Sequence, residues 1–183
     1  MKIVCIGDSN TYGYDPRGFL GDRYPRDVRW TGRIHGIEVV NEGYVGLCVP
    51  HEREYAMYQN MLQDTDGAIV MLGTNDILQG YPLRDIVERM NRFVAMLMNH
   101  GKVLLVAPVS VRMGAWVESQ RMIDEARQLV LAYRNIAKER GCFFGDANEW
   151  GVELAYDGVH FTMNGHEAFY RGIIRLLEEL RNE

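Results

Sequence analysis

The apolar residues of this chain gather in five short runs that do not alternate between apolar and polar positions. Val, Ile, Leu and Phe are frequent in these runs. Such runs are typical of strands that are covered on both faces, as in a parallel sheet. The pattern therefore predicts five parallel strands, at residues 2–7, 38–41, 67–72, 102–107 and 142–145.

Longer segments with helical spacing lie between these runs. Apolar residues recur at intervals of three and four in segments 86–97 and 123–136. A last helix is predicted to begin near Asn164, with Glu167 completing a capping box. Strands that alternate with helices imply right-handed crossovers. The whole chain, residues 1–183, is therefore predicted to be one α/β domain, a three-layer α/β/α arrangement around a five-stranded parallel sheet.

Segment 12–30 interrupts this alternation. It has little periodicity but is rich in Gly, Pro, Arg and aromatic residues. A loop of this length in a compact domain is usually functional or disordered, and the aromatic content argues against disorder. We therefore expect this loop to contribute to a functional site.

Composition and charge exclude several classes of function. The formal net charge is −5 and the basic residues are dispersed, which argues against a nucleic-acid partner. The three cysteines are far apart and form no CxxC motif, so neither a disulfide framework nor a zinc site is indicated. No apolar run is long enough to span a bilayer, and the first strand directly follows Met1-Lys2. These features predict a cytoplasmic protein without membrane contact.

The residues that follow the predicted strands carry the candidate chemistry. Ligands of open parallel sheets bind at the carboxyl ends of the strands, so these positions converge on one edge. A serine, glycines, amides, an acid and a histidine collect there, which is the inventory for acyl transfer. The segments concerned are Gly7-Asp8-Ser9-Asn10, Asn41 to Gly46, Gly73-Thr74-Asn75-Asp76 and Asp157-Gly158-Val159-His160.

Each of these segments, taken alone, is also ordinary turn chemistry. A metallophosphoesterase would need further histidine ligands. A phospho-acceptor receiver domain would need paired acids after the first strand and a lysine after the fifth, and residues 142–147 contain no lysine. A non-catalytic binding domain on the same scaffold stays as a remote alternative. The other histidines have no partner at a meaningful spacing and are read as structural, namely His35, His51, His100 and His166.

The combination of these segments, in this order, resembles the SGNH hydrolases, also called GDSL-type esterases and lipases. The resemblance implies a flavodoxin-like SGNH fold and a serine esterase that needs no metal or cofactor. It assigns Ser9 as the nucleophile, His160 as the base and Asp157 as the acid that orients the base. The oxyanion donors that it implies are the backbone N–H groups of Ser9 and Gly46 and the side-chain amide of Asn75.

One position departs from the family pattern. Asn10 stands where an aliphatic residue is usual, and we expect it to alter the wall of the substrate pocket. Asn10 could also bond a sugar hydroxyl, which keeps carbohydrate O-acetylesterase activity open as an alternative. The sequence does not identify the ester, so lysophospholipase activity is a further alternative within the family. Asp8 and Asp76 are expected to be structural, because a carboxylate beside a turn commonly bonds local N–H groups.

A second, local resemblance concerns residues 23–32, which are similar to the small-acyl arylesterase and acyltransferase branch of the family. It implies a preference for short acyl groups, acetyl first, with some transfer to alcohols. Trp30 is expected to shorten the acyl pocket. The partner would be a small-molecule ester, and an apolar patch on a short helix suggests a possible homo-oligomer. The residues of that patch are Tyr55, Met57, Tyr58 and Met61.

Overall fold

The computed structural model describes residues 1–18 and 22–182, and a five-stranded parallel sheet forms its centre. The strands are β1 (Lys2–Gly7), β2 (Tyr14–Asp15), β3 (Asp22–Arg23), β4 (Glu38–Gly43), β5 (Gly67–Met71), β6 (Lys102–Ala107) and β7 (Phe143–Asp146). The large sheet has the order β4-β1-β5-β6-β7, with all neighbouring strands parallel. The five strands predicted from the apolar runs are confirmed, and β4 continues two residues further than expected.

Helices cover both faces of this sheet. They are α1 (Ser9–Tyr12), α2 (Tyr55–Met61), α3 (Thr74–Leu78), α4 (Leu83–Leu97), α5 (Gln120–Arg140) and α6 (Met163–Asn182). Short 3-10 helices lie at Trp30–Arg33, Glu52–Glu54 and Ala147–Trp150.

Successive residues of β1 show why this central strand is apolar along most of its length. Val4 and Ile6 join a buried cluster that includes residues of α4 and α5. Ile3 and Cys5 join a second buried cluster, which includes residues of α6. Since adjacent side chains of a strand point to opposite faces, β1 has an apolar environment on both sides. The predicted three-layer α/β/α fold is confirmed.

The predicted capping box of the last helix is wrong. The helix α6 begins at Met163, and the Thr162 hydroxyl accepts a hydrogen bond from the Gly165 N–H at 3.0 Å. The Glu167 carboxylate instead pairs with the guanidinium groups of Arg33 and Arg171. A tertiary ion pair has therefore taken the side chain that the local pattern assigned to the cap.

The apolar patch predicted on α2 is also corrected. Tyr58 is buried, and Tyr55 and Met61 pack against the core cluster that contains Phe93 of α4. Only Met57 of the four residues is exposed. The patch therefore belongs largely to the core, and self-association stays a prediction without support from this helix.

Segment 12–30 folds onto the domain. Tyr14–Asp15 and Asp22–Arg23 pair as a small antiparallel hairpin, and the Tyr24 N–H donates to the Gly13 carbonyl at 2.8 Å. Residues 19–21 of this loop, and residue 183 of the predicted domain, lie outside the described residues. Among residues 1–18 and 22–182, no helix is both long and apolar enough to cross a membrane.

Candidate active site

The first strand presents its polar turn at the carboxyl edge of the sheet. Asp8 caps α1, and its carboxylate accepts a hydrogen bond from the Asn10 N–H at 2.9 Å. Ser9 is the first residue of that helix. Gly7 is still in β1, and a Cβ there would collide with the side chain of Thr11. Glycine is thus needed for close packing of α1 on β1, and not for a special backbone angle.

Ser9, His160 and Asp157 are joined by hydrogen bonds. The Ser9 Oγ and the His160 Nε2 are 3.0 Å apart, and the His160 Nδ1 lies 2.6 Å from the Asp157 Oδ2. A carboxylate can only accept here, so the proton is on Nδ1 and Nε2 is left to accept from the serine. Asp157 and His160 are both buried. The structure therefore brings together the three residues predicted as nucleophile, base and orienting acid, although 148 positions separate Ser9 from Asp157 in the sequence.

The Asp157 carboxylate is held by its own turn. Its Oδ1 accepts hydrogen bonds from the N–H groups of Val159 and His160, both at 2.9 Å. Burial opposes the charged carboxylate, but the hydrogen bonds from the His160 imidazole and these N–H groups outweigh it and lower the pKa of Asp157 below its ordinary value. The Asp157 carboxylate is therefore ionised in its hydrogen bond with the His160 imidazole.

The three residues predicted to supply the oxyanion donors, Ser9, Gly46 and Asn75, line the same cleft. Gly46 has a left-handed backbone with φ at +79°, a conformation that disfavours any side chain. Neither its N–H nor that of Ser9 donates to an acceptor among the described residues. The Asn75 Nδ2 donates to the Leu47 carbonyl at 3.1 Å, and this bond leaves its second hydrogen free.

A buried ion pair fixes the loop that carries Gly46. The Arg89 guanidinium lies 2.6 Å from the Asp76 carboxylate and also donates to the Val49 carbonyl at 2.7 Å. The Val49 N–H in turn donates to the second oxygen of Asp76 at 3.0 Å. Because Asp76 directly follows Asn75, this arrangement ties the loop to the helix of the amide donor.

The carboxylate of Asp8 is unusual in its environment. Its side chain is almost fully buried, and burial raises its pKa to about 6, although the Asn10 N–H and the nearby His160 favour its charged form. Asp76 behaves similarly, since burial raises its pKa in spite of the ion pair with Arg89. Both acids bond backbone N–H groups, as expected of structural carboxylates.

These groups open onto a cleft of about 230 Å³. Its walls are mostly apolar or aromatic apart from the reacting groups. Its lining residues are Ser9, Tyr14, Val45, Gly46, Asn75, Leu78, Trp116, Val159 and His160. The Tyr14 ring stacks on the His160 imidazole with 4.4 Å between the ring centroids.

A family model for GDSL-like lipases and acylhydrolases matches residues 5–168. The chain belongs to the GDSL-like lipase/acylhydrolase family. It is accordingly a carboxylic ester hydrolase with the SGNH hydrolase fold.

Solved structures of esterases share the fold of this GDSL-like hydrolase. The M. smegmatis aryl esterase is 24% identical, with a TM-score of 0.86 over 98% of this chain and 99% of that chain. Est24, a carbohydrate acetylesterase from Sinorhizobium meliloti, is 21% identical, with a TM-score of 0.85 over 98% and 99%. A catalytic mutant of Axe2, an acetylxylan esterase from Geobacillus stearothermophilus, is 24% identical, with a TM-score of 0.72 over 96% and 93%. No curated protein matches the sequence significantly.

Two residues predicted to shape the substrate pocket of this GDSL-like hydrolase do not line the cleft. Trp30 is fully buried, packs on Phe169 with 4.9 Å between the ring centroids and donates its indole N–H to the Asn10 carbonyl at 3.1 Å. The Asn10 amide accepts from the Phe161 N–H at 2.9 Å and donates to the Val159 carbonyl at 3.1 Å. Both predictions are therefore wrong, because hydrogen bonds and packing turn these side chains into the protein.

Sequence reasoning missed the residues that do form the walls. Tyr14 lies just beyond the first motif of the GDSL-like hydrolase, in the loop already singled out for its aromatic content. Trp116 comes from the segment after β6, where no motif marks it. Leu78 is one helical turn beyond Asn75, so its proximity could have been inferred from the helix period.

The histidines read as structural are not joined to this site. His166 is fully buried in the first turn of α6, between the rings of Tyr24 and Phe161. Burial, reinforced by the neighbouring charges of Arg29 and Arg33, lowers its pKa to about 3. Within the described part of this GDSL-like hydrolase, no group of three or more His, Cys, Asp and Glu side chains could hold a metal ion.

Proposed function

We propose that Ser9 is the nucleophile of ester hydrolysis. Its hydroxyl attacks the ester carbonyl while the His160 Nε2 takes the proton, and the same nitrogen then returns it to the leaving alkoxide. Asp157 keeps the imidazole in the required tautomer and stabilises its charged form. Water repeats the sequence on the acyl-enzyme and releases the acid. The observation that carries this proposal is the unbroken chain of hydrogen bonds from Ser9 to Asp157.

The oxyanion that forms in each step needs donors that are already in place. We propose the N–H groups of Ser9 and Gly46 and the free amide hydrogen of Asn75. Each donor of this kind typically contributes about 3 kcal/mol to the transition state. The support is that all three residues line the same cleft and have donor capacity to spare.

The substrate is proposed to be an ester with a short acyl group, acetyl first. The cleft of about 230 Å³ is smaller than the roughly 300 Å³ at which drug-sized ligand pockets begin. Each surplus methylene against a closed wall is worth about 1–3 kcal/mol of discrimination. A panel of p-nitrophenyl esters from about two to about twelve carbons tests this, and faster turnover of octanoyl than of acetyl esters would contradict it.

Transfer of the acyl group to an alcohol is proposed as a secondary reaction. The acyl-enzyme accepts an alcohol in place of water, and His160 removes the alcohol proton in the same way. The support is the set of apolar and aromatic walls, including Tyr14 and Trp116, which favour an organic acceptor over water. With ethanol or benzyl alcohol added to acetyl-ester reactions, the new acetate ester should accumulate, whereas release of acetic acid alone would argue against transfer.

Carbohydrate O-acetylester hydrolysis is the second candidate. Trp116 is 60% exposed although it lines the cleft, and an exposed indole is a suitable surface for the face of a sugar ring. The engaged amide of Asn10 removes the earlier reason for this candidate. Activity confined to acetylated sugars would promote it. The small cleft argues against a lysophospholipid chain.

The direct test of the mechanism is Ser9→Ala. The Ser9 hydroxyl bonds only the His160 Nε2 among the described residues, so we expect the variant to fold and to lose essentially all hydrolysis of p-nitrophenyl acetate. A fluorophosphonate should label the parent protein once, at Ser9. Ser119→Ala is the control, because the Ser119 hydroxyl makes no capping hydrogen bond on α5. Substantial activity in Ser9→Ala would disprove the triad.

We also propose a cytoplasmic location and self-association of the protein. The three cysteines are free, which fits a reducing compartment. Subcellular fractionation tests the location, and sedimentation of the purified protein tests whether it forms a homo-oligomer.

A further inference from the structure

The segment after β6 lies against the turn that carries Asp157. The Arg112 N–H donates to the Gly158 carbonyl at 3.0 Å, and the Trp116 N–H donates to the Asp157 carbonyl at 3.1 Å. Gly114 and Val117 close this segment on itself by two mutual hydrogen bonds. We call residues 112–117 the clasp. The clasp is a small loop whose backbone N–H groups are hydrogen-bonded to the backbone of the turn that carries Asp157.

The Arg112 side chain reaches further along the same turn. Its guanidinium donates to the carbonyls of Leu154 and Ala155, the latter at 3.1 Å. Ala155 also closes the turn, since its N–H donates to the His160 carbonyl at 2.7 Å and its carbonyl accepts from the Gly158 N–H at 3.0 Å. The Arg112 guanidinium therefore binds Ala155, the residue whose hydrogen bonds close the loop that carries Asp157 and His160.

Packing between the clasp and the turn leaves no space at two glycines. A Cβ on Gly114 would lie 2.5 Å from the Asp157 carbonyl oxygen, closer than real Cβ atoms come. A Cβ on Gly158 would collide with the Arg112 carbonyl, and the φ of Gly158 is +82°. The backbones of the two segments are therefore in direct contact, so a shift of the clasp would shift Asp157.

This contact matters because the Asp157 turn belongs to no regular element. It lies between the 3-10 helix Ala147–Trp150 and α6, and one isolated bridge joins Leu154 to Phe161. A displacement of about 1 Å in a positioned group can lower a rate roughly 100-fold. We propose that Arg112 is a positioning residue, which holds Asp157 and His160 in line with Ser9 through the clasp. The proposal rests on the proposed esterase function.

The test compares Arg112→Ala, Arg112→Lys and the parent protein. Arg112→Ala should lower kcat by a factor on the order of 10 to 100 with little change in KM, because the Arg112 side chain itself does not line the cleft. Arg112→Lys should recover part of the loss, because an ammonium group can still donate to a carbonyl.

Arg127→Ala is the matched control. Arg127 is exposed on α5 and, among the described residues, pairs only with Asp124, one turn away, so its loss should leave kcat unchanged. Equal losses in the two alanine variants, or an unchanged kcat in Arg112→Ala, would overturn the proposal. A loss of thermal stability without these kinetic changes would likewise reduce Arg112 to a structural residue.

A second variant acts on the clasp without changing any charge. Gly114→Ala introduces the clash with Asp157 and should reproduce the loss in kcat. In both variants, the far-downfield proton NMR signal of the His160 Nδ1–H···Asp157 bond should weaken or shift. This signal reports how His160 and Asp157 are aligned, and it does so without turnover. A parent protein that neither hydrolyses esters nor reacts with the fluorophosphonate would refute the esterase function. The spectrum would still show whether the clasp positions the Asp157 turn. An unaltered signal in both variants would overturn the clasp.

Discussion

The Asn75 amide has one hydrogen bonded to the Leu47 carbonyl and a second available to a substrate. If the second hydrogen binds the oxyanion, Asn75→Ala should lower kcat by a factor on the order of 100 with little change in KM, because the ground-state carbonyl gains little from it. Steady-state kinetics with p-nitrophenyl acetate measure both constants. Asn91→Ala is the control. Its side chain also makes a hydrogen bond, accepted from Arg140 on α5, but Asn91 does not line the cleft. A pure rise in KM would make Asn75 a substrate-binding residue.

The buried imidazole of His166 should make the free energy of unfolding depend on pH in the acidic range. Its folded pKa is about 3, whereas an exposed histidine has an ordinary value of 6.5. As the pH falls through the window from 6.5 to about 3, the unfolded chain takes up a proton that the folded protein excludes, so stability is lost on acidification. Both ring nitrogens lack a hydrogen-bond partner among the described residues, so a phenyl ring would sacrifice no hydrogen bond.

The corresponding variant is His166→Phe. Between pH 7 and about pH 4.5, it should lose roughly 3 kcal/mol less free energy of unfolding than the parent protein. Urea unfolding at the two pH values measures the difference, which does not depend on how well the larger ring packs. His35→Phe, at an exposed position in a loop, is the control. The same loss in His166→Phe and the parent would show that the imidazole is not buried as a neutral group.

Asn10 shows how one side chain couples two elements. From α1 it bonds the Phe161 N–H and the Val159 carbonyl, the two neighbours of His160 in the chain. This pair of hydrogen bonds sets the position of the base relative to the nucleophile, which lies beside Asn10 in sequence. An aliphatic residue at this place could not make either bond.

Asn10→Ala should therefore affect stability and rate together. It leaves a buried N–H and a buried carbonyl without partners, each worth about 1–3 kcal/mol. We expect a clearly lower melting temperature and a lower kcat, measured by thermal unfolding and by hydrolysis of p-nitrophenyl acetate. Asn60→Ala, at an exposed position of α2, should change neither. A normal melting temperature in Asn10→Ala would mean that water replaces the amide.

Metal independence is expected of the molecule as a whole. The proposed chemistry uses only the hydroxyl, the imidazole, the carboxylate and three N–H donors, so no step requires a Lewis acid. Dialysis against EDTA should leave the rate of ester hydrolysis unchanged. A loss that manganese or zinc restores would instead support a metal-dependent phosphoesterase.

The layered architecture follows from the sequence alone. The central strands are covered on both faces and are mostly apolar, so their runs are visible without any tertiary information. The convergence of Ser9 and Asn75 could be predicted for a similar reason, since they follow β1 and β5 and the carboxyl ends of parallel strands share one edge. The motifs then identified which groups at that edge react.

The walls of the cleft were decided by tertiary structure. Trp30 is buried because Phe169, far along the chain, supplies the aromatic surface on which it packs, and no local pattern reveals such a partner. Asn10 turns inward because backbone groups beside His160 need its amide. Trp116 faces the cleft because its segment is bonded to the Asp157 turn. Side-chain direction in short helices and loops depends on such distant contacts, whereas the strand pattern depends only on which faces are covered.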